Sequence, residues 1–235
     1  MKKEEYVYQV FENIAEGYDA ANKRISLGLH MRWKKAAVKR FIGAVPQGGQ
    51  VLDLCCGTGD MTEIVLSLRP DVRVTGLDFS PAMLQIARRR FHGDARAQFM
   101  EGDALSLPFA EGQFDAAVIS FALRNTADYA AVIRGLARCV KPGGAVCCID
   151  SFLPESQFVR FFYGIYFSRI MPLLGGGRDK REEYRWLCRS TGEFISPTQV
   201  QTLMADAGLA RCRRDSFMLG ACVSLCAYKN KEAMK

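Results

Sequence analysis

The sequence has few histidines and no closely paired cysteines. His30 and His92 are its only histidines, and none of the nine cysteines belongs to a C-x-x-C pair. Structural zinc sites are normally built from such pairs together with histidines, so the sequence predicts no metal centre. For the cysteines we expect free, buried thiols in a reducing compartment.

Long apolar runs are also missing. No stretch of about eighteen uncharged apolar residues occurs, so the sequence predicts no transmembrane helix. The first five residues, MKKEE, are not followed by the apolar core of a signal peptide. We therefore expect a cytoplasmic protein. With 235 residues, 49% hydrophobic and 24% charged, the composition is that of one ordinary globular domain.

Basic residues outnumber acidic ones, and the formal net charge is +7. Such an excess favours nucleic acid or an anionic membrane surface as a partner. The basic clusters lie at 32–40, 88–90, 178–181 and 211–214. Aromatic residues are not interleaved with them as a nucleic-acid stacking surface requires, so we predict no nucleic-acid partner. Solvated helix faces are the alternative explanation for each cluster.

The stretch 51–60, VLDLCCGTGD, carries the strongest functional signal. An apolar run of strand length leads into a turn with Gly57 and Gly59, and helical spacing of apolar residues follows. Glycines let the backbone adopt positive φ and approach a ligand closely. A strand, a glycine turn and a helix form the nucleotide-binding corner of a doubly wound α/β sheet.

This turn is not typical of dinucleotide-binding or P-loop proteins. Thr62 stands where a dinucleotide site has its third glycine, and the Gly-Lys-Ser/Thr ending of a P-loop is missing. About twenty residues on, Asp78 ends a second apolar run, where a ribose-binding carboxylate is expected. The pattern predicts a nucleoside site. A tight structural turn followed by a surface acid is the alternative.

Several stretches together resemble class I S-adenosylmethionine-dependent methyltransferases, and more narrowly the C-methyltransferases of menaquinone and ubiquinone biosynthesis. The glycine-rich LDLCCGTGD is similar to motif I of the class. The narrower resemblance is carried by VFENIAEGYD at 10–19, SLGLHMRWK at 26–34, GDALSLPF at 102–109 and ISFALRN at 119–125. It runs from about residue 10 to 152 and returns more loosely towards the C-terminus. Asp150-Ser151-Phe152 departs from the Glu-Phe-Ser expected there.

The resemblance implies a Rossmann-like α/β fold in a single domain, 1–235. The expected sheet has seven mostly parallel strands with an antiparallel C-terminal strand, and helices cover both faces. The expected segments are an N-terminal helical cap (1–44), a cofactor-binding core (45–152), a helical lid and acceptor segment (153–195), and a C-terminal helix and strand pair (196–235).

The resemblance also implies S-adenosylmethionine as cofactor. The residues expected to bind it are Asp53, Gly57, Thr58, Gly59, Asp78, Asp103, Ala104 and Ser120. Asp78 would accept hydrogen bonds from the ribose and Asp103 from the adenine amino group. Arg124 and Tyr18 are the expected catalytic residues, which orient and polarise a hydroquinone hydroxyl, and His30 is the second choice. The alternatives are a surface ion pair for Arg124 and simple helix packing for Tyr18.

The segment 158–174 is the most apolar and aromatic of the chain. It predicts a lid that lines a lipophilic acceptor pocket, with a membrane-surface contact through Arg160 and Arg169 as a further hypothesis. A core helix or a homodimer helix is the alternative. The three glycines at 175–177 predict a flexible loop behind it.

The predicted function is S-adenosylmethionine-dependent C-methylation of a lipophilic prenylated hydroquinone of the demethylmenaquinol type. A methyltransferase for another lipophilic small molecule and a non-catalytic cofactor-binding protein are the alternatives. A short-chain oxidoreductase is disfavoured, because the chain lacks both the third glycine and a Tyr-x-x-x-Lys pair.

Overall fold

A seven-stranded sheet forms the centre of the structure, a computed structural model that describes residues 3–166, 171 and 181–231. Its strands are β1 (Gln50–Leu54), β2 (Arg73–Asp78), β3 (Ala97–Glu101), β4 (Phe114–Ser120), β5 (Val140–Ser151), β6 (Leu209–Phe217) and β7 (Cys222–Lys229). The spatial order is β3-β2-β1-β4-β5-β7-β6, and β7 is antiparallel to both of its neighbours. The remaining pairings are parallel, which confirms the predicted fold class.

Helices cover both faces of this sheet. They are α1 (Lys3–Ile14), α2 (Tyr18–Ile25), α3 (Leu29–Phe41), α4 (Asp60–Leu68), α5 (Pro81–Arg90), α6 (Tyr129–Cys139), α7 (Gln157–Ile165), α8 (Arg181–Glu193) and α9 (Pro197–Asp206). Side chains alternate along β1, so Leu52 packs with α6 and α9 while Val51 packs with α3 and α4 on the other face. A third buried cluster joins α1, α5 and α8.

The N-terminal segment forms more helices than its apolar spacing predicts. That spacing predicts one helix over 5–23, with Tyr18 towards its end, and a second over 30–44. In the structure, α1 ends at Ile14, a 3₁₀ turn spans Ala15–Gly17, and α2 begins at Tyr18. Gly17 has φ −106° and ψ 0°, which interrupts the helix. The second predicted helix is present as α3, which ends as an α-helix at Phe41.

Several element ends follow local signals, and others do not. Ser80 followed by Pro81 predicts a helix start, and the Ser80 hydroxyl accepts from the Met83 amide at 3.2 Å at the start of α5. The apolar run 51–56 predicts the first strand, but β1 stops at Leu54 because Cys55 turns into the left-handed region at φ 54°. The Lys-Pro-Gly-Gly at 141–144 predicts a break between helix and strand, yet these residues lie within β5. A helix is predicted over 182–188, and in the structure α8 extends from Arg181 to Glu193. Arg169 and the glycines at 175–177 lie outside the described residues.

Candidate active site

A cavity of about 670 Å³ lies beyond the carboxyl ends of β1, β2, β3 and β4, with α1 on its other side. Of the residues predicted from the sequence, it is lined by Tyr18, Gly57, Asp78, Asp103, Ala104 and Ser120. Carboxyl ends of parallel strands meet at one edge of the sheet, which is why residues so distant in sequence converge here. We call this space the cofactor cavity.

Asp78 fastens the glycine turn to the start of α5. Its Oδ2 accepts from the Gly57 amide at 2.8 Å, and its Oδ1 accepts from the Ser80 amide at 3.0 Å. Burial raises the pKa of Asp78 to about 6. Each carboxylate oxygen has a second lone pair, so both can accept a further hydrogen bond from a ligand in the cavity.

Three predicted cofactor residues are not among those that line the cavity. Asp53 is fully buried and its Oδ2 accepts from the Thr62 amide and hydroxyl at 3.0 and 2.7 Å; burial raises its pKa to about 7. Thr58 donates its hydroxyl to Asp19 at 2.7 Å. Gly59 has φ +90°, and a Cβ there would lie 2.7 Å from the Phe91 ring. These residues shape the turn from behind, and their contact with a cofactor stays a prediction.

Three side chains, which make four hydrogen bonds, fasten the N-terminal helices over this edge. The Glu12 carboxylate accepts from the Ser80 hydroxyl at 2.6 Å and from the Ala82 amide at 3.1 Å. Asp19 accepts from Thr58, and Lys34 donates to Asp60 at 2.8 Å. Sequence reasoning missed Glu12. Its position within the stretch 10–19 was the available signal, but the helix it binds is 68 residues away in the chain.

A second cavity, of about 460 Å³, adjoins the first. We call it the acceptor cavity. Apolar side chains from α2, α3, α7 and the turn between β6 and β7 make up most of its wall. Among the described residues, the ionisable groups other than tyrosine and cysteine that line it are His30, Lys34 and Arg124. Tyr18 and Phe121 line both cavities, so these two aromatic residues mark the place where the spaces meet.

Phe121 is held at this junction in a rare backbone conformation. Its φ is +55°, a left-handed value that non-glycine residues seldom adopt. The Phe121 amide donates to the Ile149 carbonyl at 2.7 Å, and Arg124 Nη1 donates to the Phe121 carbonyl at 2.8 Å. These bonds hold the turn that carries the ring between the cavities.

Arg124 is paired with an acid that sequence reasoning missed. Its Nη1 binds Asp150 Oδ1, and its backbone amide donates to Asp150 Oδ2 at 3.2 Å. The alternative considered for Arg124 was an ion pair with a surface acid, yet the Asp150 side chain is 0% exposed. The signal was its place at the end of β5, the strand beside β4.

The Lys34–Asp60 pair lies between the two cavities and the glycine turn. Lys34 Nζ stands 5.7 Å from the centre of the Phe121 ring. Although burial acts in the opposite direction, Lys34 and Arg90 lower the pKa of Asp60 to about 2.

Tyr18, at the junction of the cavities, is a neutral phenol. Burial raises the pKa of Tyr18, so its hydroxyl stays protonated at neutral pH.

The polar groups of the cofactor cavity fit S-adenosylmethionine. Asp78 and Asp103 bring two carboxylates to the wall of this cavity. Ser120 Oγ and both side-chain polar atoms of Asn125 are buried without a hydrogen-bond partner among the described residues. Buried polar groups are normally satisfied, so these atoms mark places where a polar ligand completes the site.

Solved structures with this architecture define the class of protein. The methyltransferase in a Haloferax volcanii complex with the Trm112 methyltransferase activator superposes with a TM-score of 0.70 at 20% identity, covering 94% of this chain and 97% of that one. Haemonchus contortus phosphoethanolamine N-methyltransferase 2, solved with S-adenosyl-L-methionine, gives 0.64 at 18% identity, covering 85% and 52%. At these identities the likeness establishes the fold, that of the class I methyltransferases.

The chain belongs to the ubiE/COQ5 methyltransferase family, whose model matches residues 1–229. Demethylmenaquinone methyltransferase of Staphylococcus aureus is 37% identical over 234 residues, which are 98% of this chain and 96% of that protein. The protein is therefore a methyltransferase that uses S-adenosylmethionine, as predicted. Within residues 3–166 and 181–231, no helix is long and apolar enough to cross a bilayer.

Proposed function

We propose that the enzyme methylates a ring carbon of a prenylated hydroquinone of the demethylmenaquinol type. The observation that carries the proposal is the meeting, at Tyr18 and Phe121, of a cavity that contains the Asp78 and Asp103 carboxylates with a second cavity whose wall is mostly apolar. A methyl donor held in the first would face an aromatic ring held in the second. The name of the Staphylococcus aureus relative supports a quinone-type acceptor.

The cofactor cavity has the donors and acceptors that this role needs. Asp78 would accept hydrogen bonds from the ribose hydroxyls, and Asp103 from the adenine amino group, because an ionised carboxylate is an acceptor only. Ala104 would border the base, and Ser120 with Gly57 would contact the amino-acid end. Asp53, Thr58 and Gly59 would act through the shape of the turn.

The bound cofactor supplies an electrophilic methyl group on a sulfonium. The protein has to align a carbon nucleophile behind that methyl and keep water out. A hydroquinone carbon becomes a good nucleophile when the neighbouring hydroxyl loses its proton. Arg124, which stays protonated in proteins, and the Tyr18 hydroxyl would stabilise the oxygen as negative charge develops on it.

The test is to incubate the protein with S-adenosylmethionine and chemically reduced demethylmenaquinone and to look for a methylated product by mass spectrometry. We expect a product whose added methyl is on a ring carbon, and Asp78→Ala should abolish it. Asp94→Ala, which removes a partly exposed acid outside both cavities, is the matched control and should retain activity. A methyl group found on oxygen would contradict C-methylation.

A methyltransferase for another lipophilic acceptor is the second candidate. Asp150-Ser151-Phe152 favours it, because this departure from Glu-Phe-Ser lies next to Arg124, which lines the acceptor cavity. No product from demethylmenaquinol, with cofactor binding intact by calorimetry, would support this candidate. Cofactor binding without methyl transfer to any lipophilic acceptor would instead support the non-catalytic cofactor-binding alternative.

We also propose that the acceptor cavity opens towards an anionic membrane surface. Large apolar side chains are exposed around its mouth: Leu27, Phe158, Phe161, Phe162, Met218 and Leu219. We call them the mouth face. Leu27 and Leu219 are 83% and 79% exposed, and both have positive φ, so strained turns hold these leucines in solvent. A patch of this kind marks an interaction site.

The charge around the mouth face suits anionic lipid. Lys23 and Arg24 occupy the last turn of α2 just before Leu27, and Arg160 lies in α7. The chain as a whole has a net charge of +7. A bilayer would also hold the prenyl tail of the acceptor, so docking there would bring the substrate to the cavity.

Vesicle sedimentation tests this contact. We expect binding to phosphatidylglycerol-containing vesicles, weaker binding to phosphatidylcholine alone, and loss of binding in Leu27→Glu/Leu219→Glu. Thr198→Glu/Thr202→Glu, on the exposed side of α9, adds the same charge away from the mouth and should still bind. If the mouth face instead joins two copies, light scattering without lipid will give a dimer that the leucine variant dissociates, and the membrane proposal fails.

A further inference from the structure

His30 lines the acceptor cavity from helix α3. It lies one helical turn before Lys34, so the two side chains share a face. His30 Nε2 is 4.0 Å from Asp60 Oδ2, and Lys34 Nζ is 2.8 Å from the same oxygen. Lys34 in turn stands over the ring of Phe121, which lines both cavities. The imidazole thus lies beside the ammonium that contacts the junction between the cavities.

Hydrogen bonds select one tautomer of this histidine. The Ser26 hydroxyl donates its single proton to the Asn22 carbonyl at 2.7 Å. Ser26 Oγ is also 2.6 Å from His30 Nδ1, and with its proton directed to the Asn22 carbonyl it accepts a hydrogen bond from Nδ1. Nδ1 therefore carries the hydrogen, and Nε2 keeps a free lone pair. Nε2 has no hydrogen-bond partner in the part of the chain that the structure describes.

The charges around His30 keep it neutral. Burial, and then the Lys34 ammonium, lower the pKa of His30 below its usual value near 6.5, against the opposing effect of Asp60 and Asp19. Arg90, from α5, binds the other oxygen of Asp60 at 2.9 Å and so balances part of that acid's charge. At neutral pH, Nε2 is therefore an unprotonated base in the cavity wall.

The other polar groups near His30 are not available to take a proton from the acceptor. Arg124 is always protonated. Tyr18 has a raised pKa and is a neutral phenol. Asp150 has one oxygen on the guanidinium of Arg124 and the other on its amide, and the side chain is fully buried. Lys34 is an ammonium bound to Asp60. Among the described residues that line the cavity, His30 is the group with a free basic lone pair.

We propose that His30 is the general base of the methyl transfer. This role rests on the proposed function. Nε2 takes the proton of the acceptor hydroxyl beside the carbon to be methylated, and the oxygen's electron pair moves into the ring. The carbon–methyl bond forms as the methyl–sulfur bond breaks, which leaves a neutral thioether. The proton on the methylated carbon then passes to water, the oxygen recovers the proton held by His30, and one proton is released overall.

The test compares the pH dependence of methyl transfer in wild type and His30→Asn, with chemically reduced short-tailed demethylmenaquinone as acceptor. An asparagine amide can keep the donor on Ser26 but supplies no base. General base catalysis is typically worth about 10²- to 10⁴-fold, so we expect a loss of at least about 100-fold in kcat at pH 7. Cofactor affinity by calorimetry should stay unchanged, and His92→Asn, at the exposed second histidine, should retain full activity.

The shape of the profile separates catalysis from a structural role. The wild-type rate should rise with pH and level off above the pKa of His30. The rate of His30→Asn should keep rising as the acceptor's own hydroxyl ionises, so the gap should close at high pH. A His30→Asn profile parallel to that of wild type would overturn the proposal. Ser26→Ala removes the hydrogen bond that holds the His30 tautomer. It should lower kcat, but the rate should still level off at high pH. An inactive wild type would count against the proposed acceptor instead.

Discussion

The Arg124 guanidinium binds the Asp150 carboxylate inside the protein, where the Asp150 side chain is completely buried and that of Arg124 is 8% exposed. The same guanidinium donates to the carbonyl of Phe121. The ion pair therefore connects the end of β5 to the strained turn whose aromatic ring separates the two cavities. A residue predicted as catalytic thus also has a structural function.

Asp150→Ala should destabilise the fold. The substitution leaves the guanidinium of Arg124 buried without a counter-charge, and breaking a buried pair in this way typically costs about 3–5 kcal/mol. Urea denaturation measures the change. Asp215→Ala is the control, because it breaks the surface pair with Arg40 and should cost no more than about 1 kcal/mol. Equal midpoints for the two variants would contradict the structural role of Asp150.

Gly59→Ala should weaken both the fold and cofactor binding. Gly59 has φ +90°, and the added Cβ would lie 2.7 Å from the Phe91 ring, so the glycine turn has to shift. A residue forced into a sparsely populated backbone region costs of order 1–3 kcal/mol. Gly43→Ala is the matched control, since φ there is not positive and a Cβ meets nothing within 4 Å. Thermal unfolding with and without S-adenosylmethionine compares them, and an unperturbed Gly59→Ala would show that the turn is not constrained.

Titration of Asp78 should change cofactor affinity and protein stability in opposite directions: as the pH falls, affinity decreases and the contribution of Asp78 to stability increases. Burial raises its pKa to about 6, so the carboxyl is protonated below that pH and can no longer accept from both ribose hydroxyls. The dissociation constant should therefore rise about tenfold per pH unit below 6. Between about pH 4 and 6 the native Asp78 binds more protons than the unfolded one, so its contribution to the free energy of unfolding increases as the pH falls.

Asp78→Asn provides the comparison for that prediction, because the amide does not titrate. Calorimetric titrations of wild type and this variant should show how the dissociation constant depends on pH through Asp78. Urea denaturation of the cofactor-free proteins should show the same for the free energy of unfolding. A wild-type dissociation constant that stays constant from pH 7.5 to 5 would contradict the role assigned to the Asp78 carboxylate.

The sequence predicts best the features that depend on strand ends. Asp78 and Asp103 each follow a strand of the same parallel sheet, so their convergence on one cavity follows from the topology alone. Tyr18 and Arg124 came from the resemblance, and both line the acceptor cavity. The methyltransferase class and the cofactor were predictable in the same way.

The features that the sequence did not predict depend on distant contacts. Asp150 meets Arg124 because β4 and β5 pair in one particular register, which periodicity along either strand does not specify. The orientation of His30 depends on how α3 crosses the start of α4. The packing of Gly59 depends on Phe91, an aromatic residue 32 positions later in the chain, while the contact of Gly59 with the cofactor stays a prediction. Local patterns predict elements well, whereas the packing between elements decides which side chains meet.

Glu12→Ala should weaken cofactor binding although Glu12 is not among the residues that line the cofactor cavity. Its carboxylate binds the Ser80 hydroxyl and the Ala82 amide at the N-terminus of α5, where negative charge is also favoured by the helix dipole. Hydrogen bonds to charged groups are worth about 1.5–3 kcal/mol, and their loss would free α1 from the edge of the cavity. We expect a dissociation constant for S-adenosylmethionine about 5- to 20-fold higher, because only part of that lost free energy affects cofactor binding.

Two further variants serve as controls for this prediction. Glu12→Gln keeps an acceptor oxygen and should recover part of the affinity, whereas Glu16→Ala, at an exposed residue four positions on, should have no effect. If Glu12→Ala binds the cofactor as tightly as Glu16→Ala, then α1 does not contribute to holding the cofactor and the cavity is formed by the sheet edge alone.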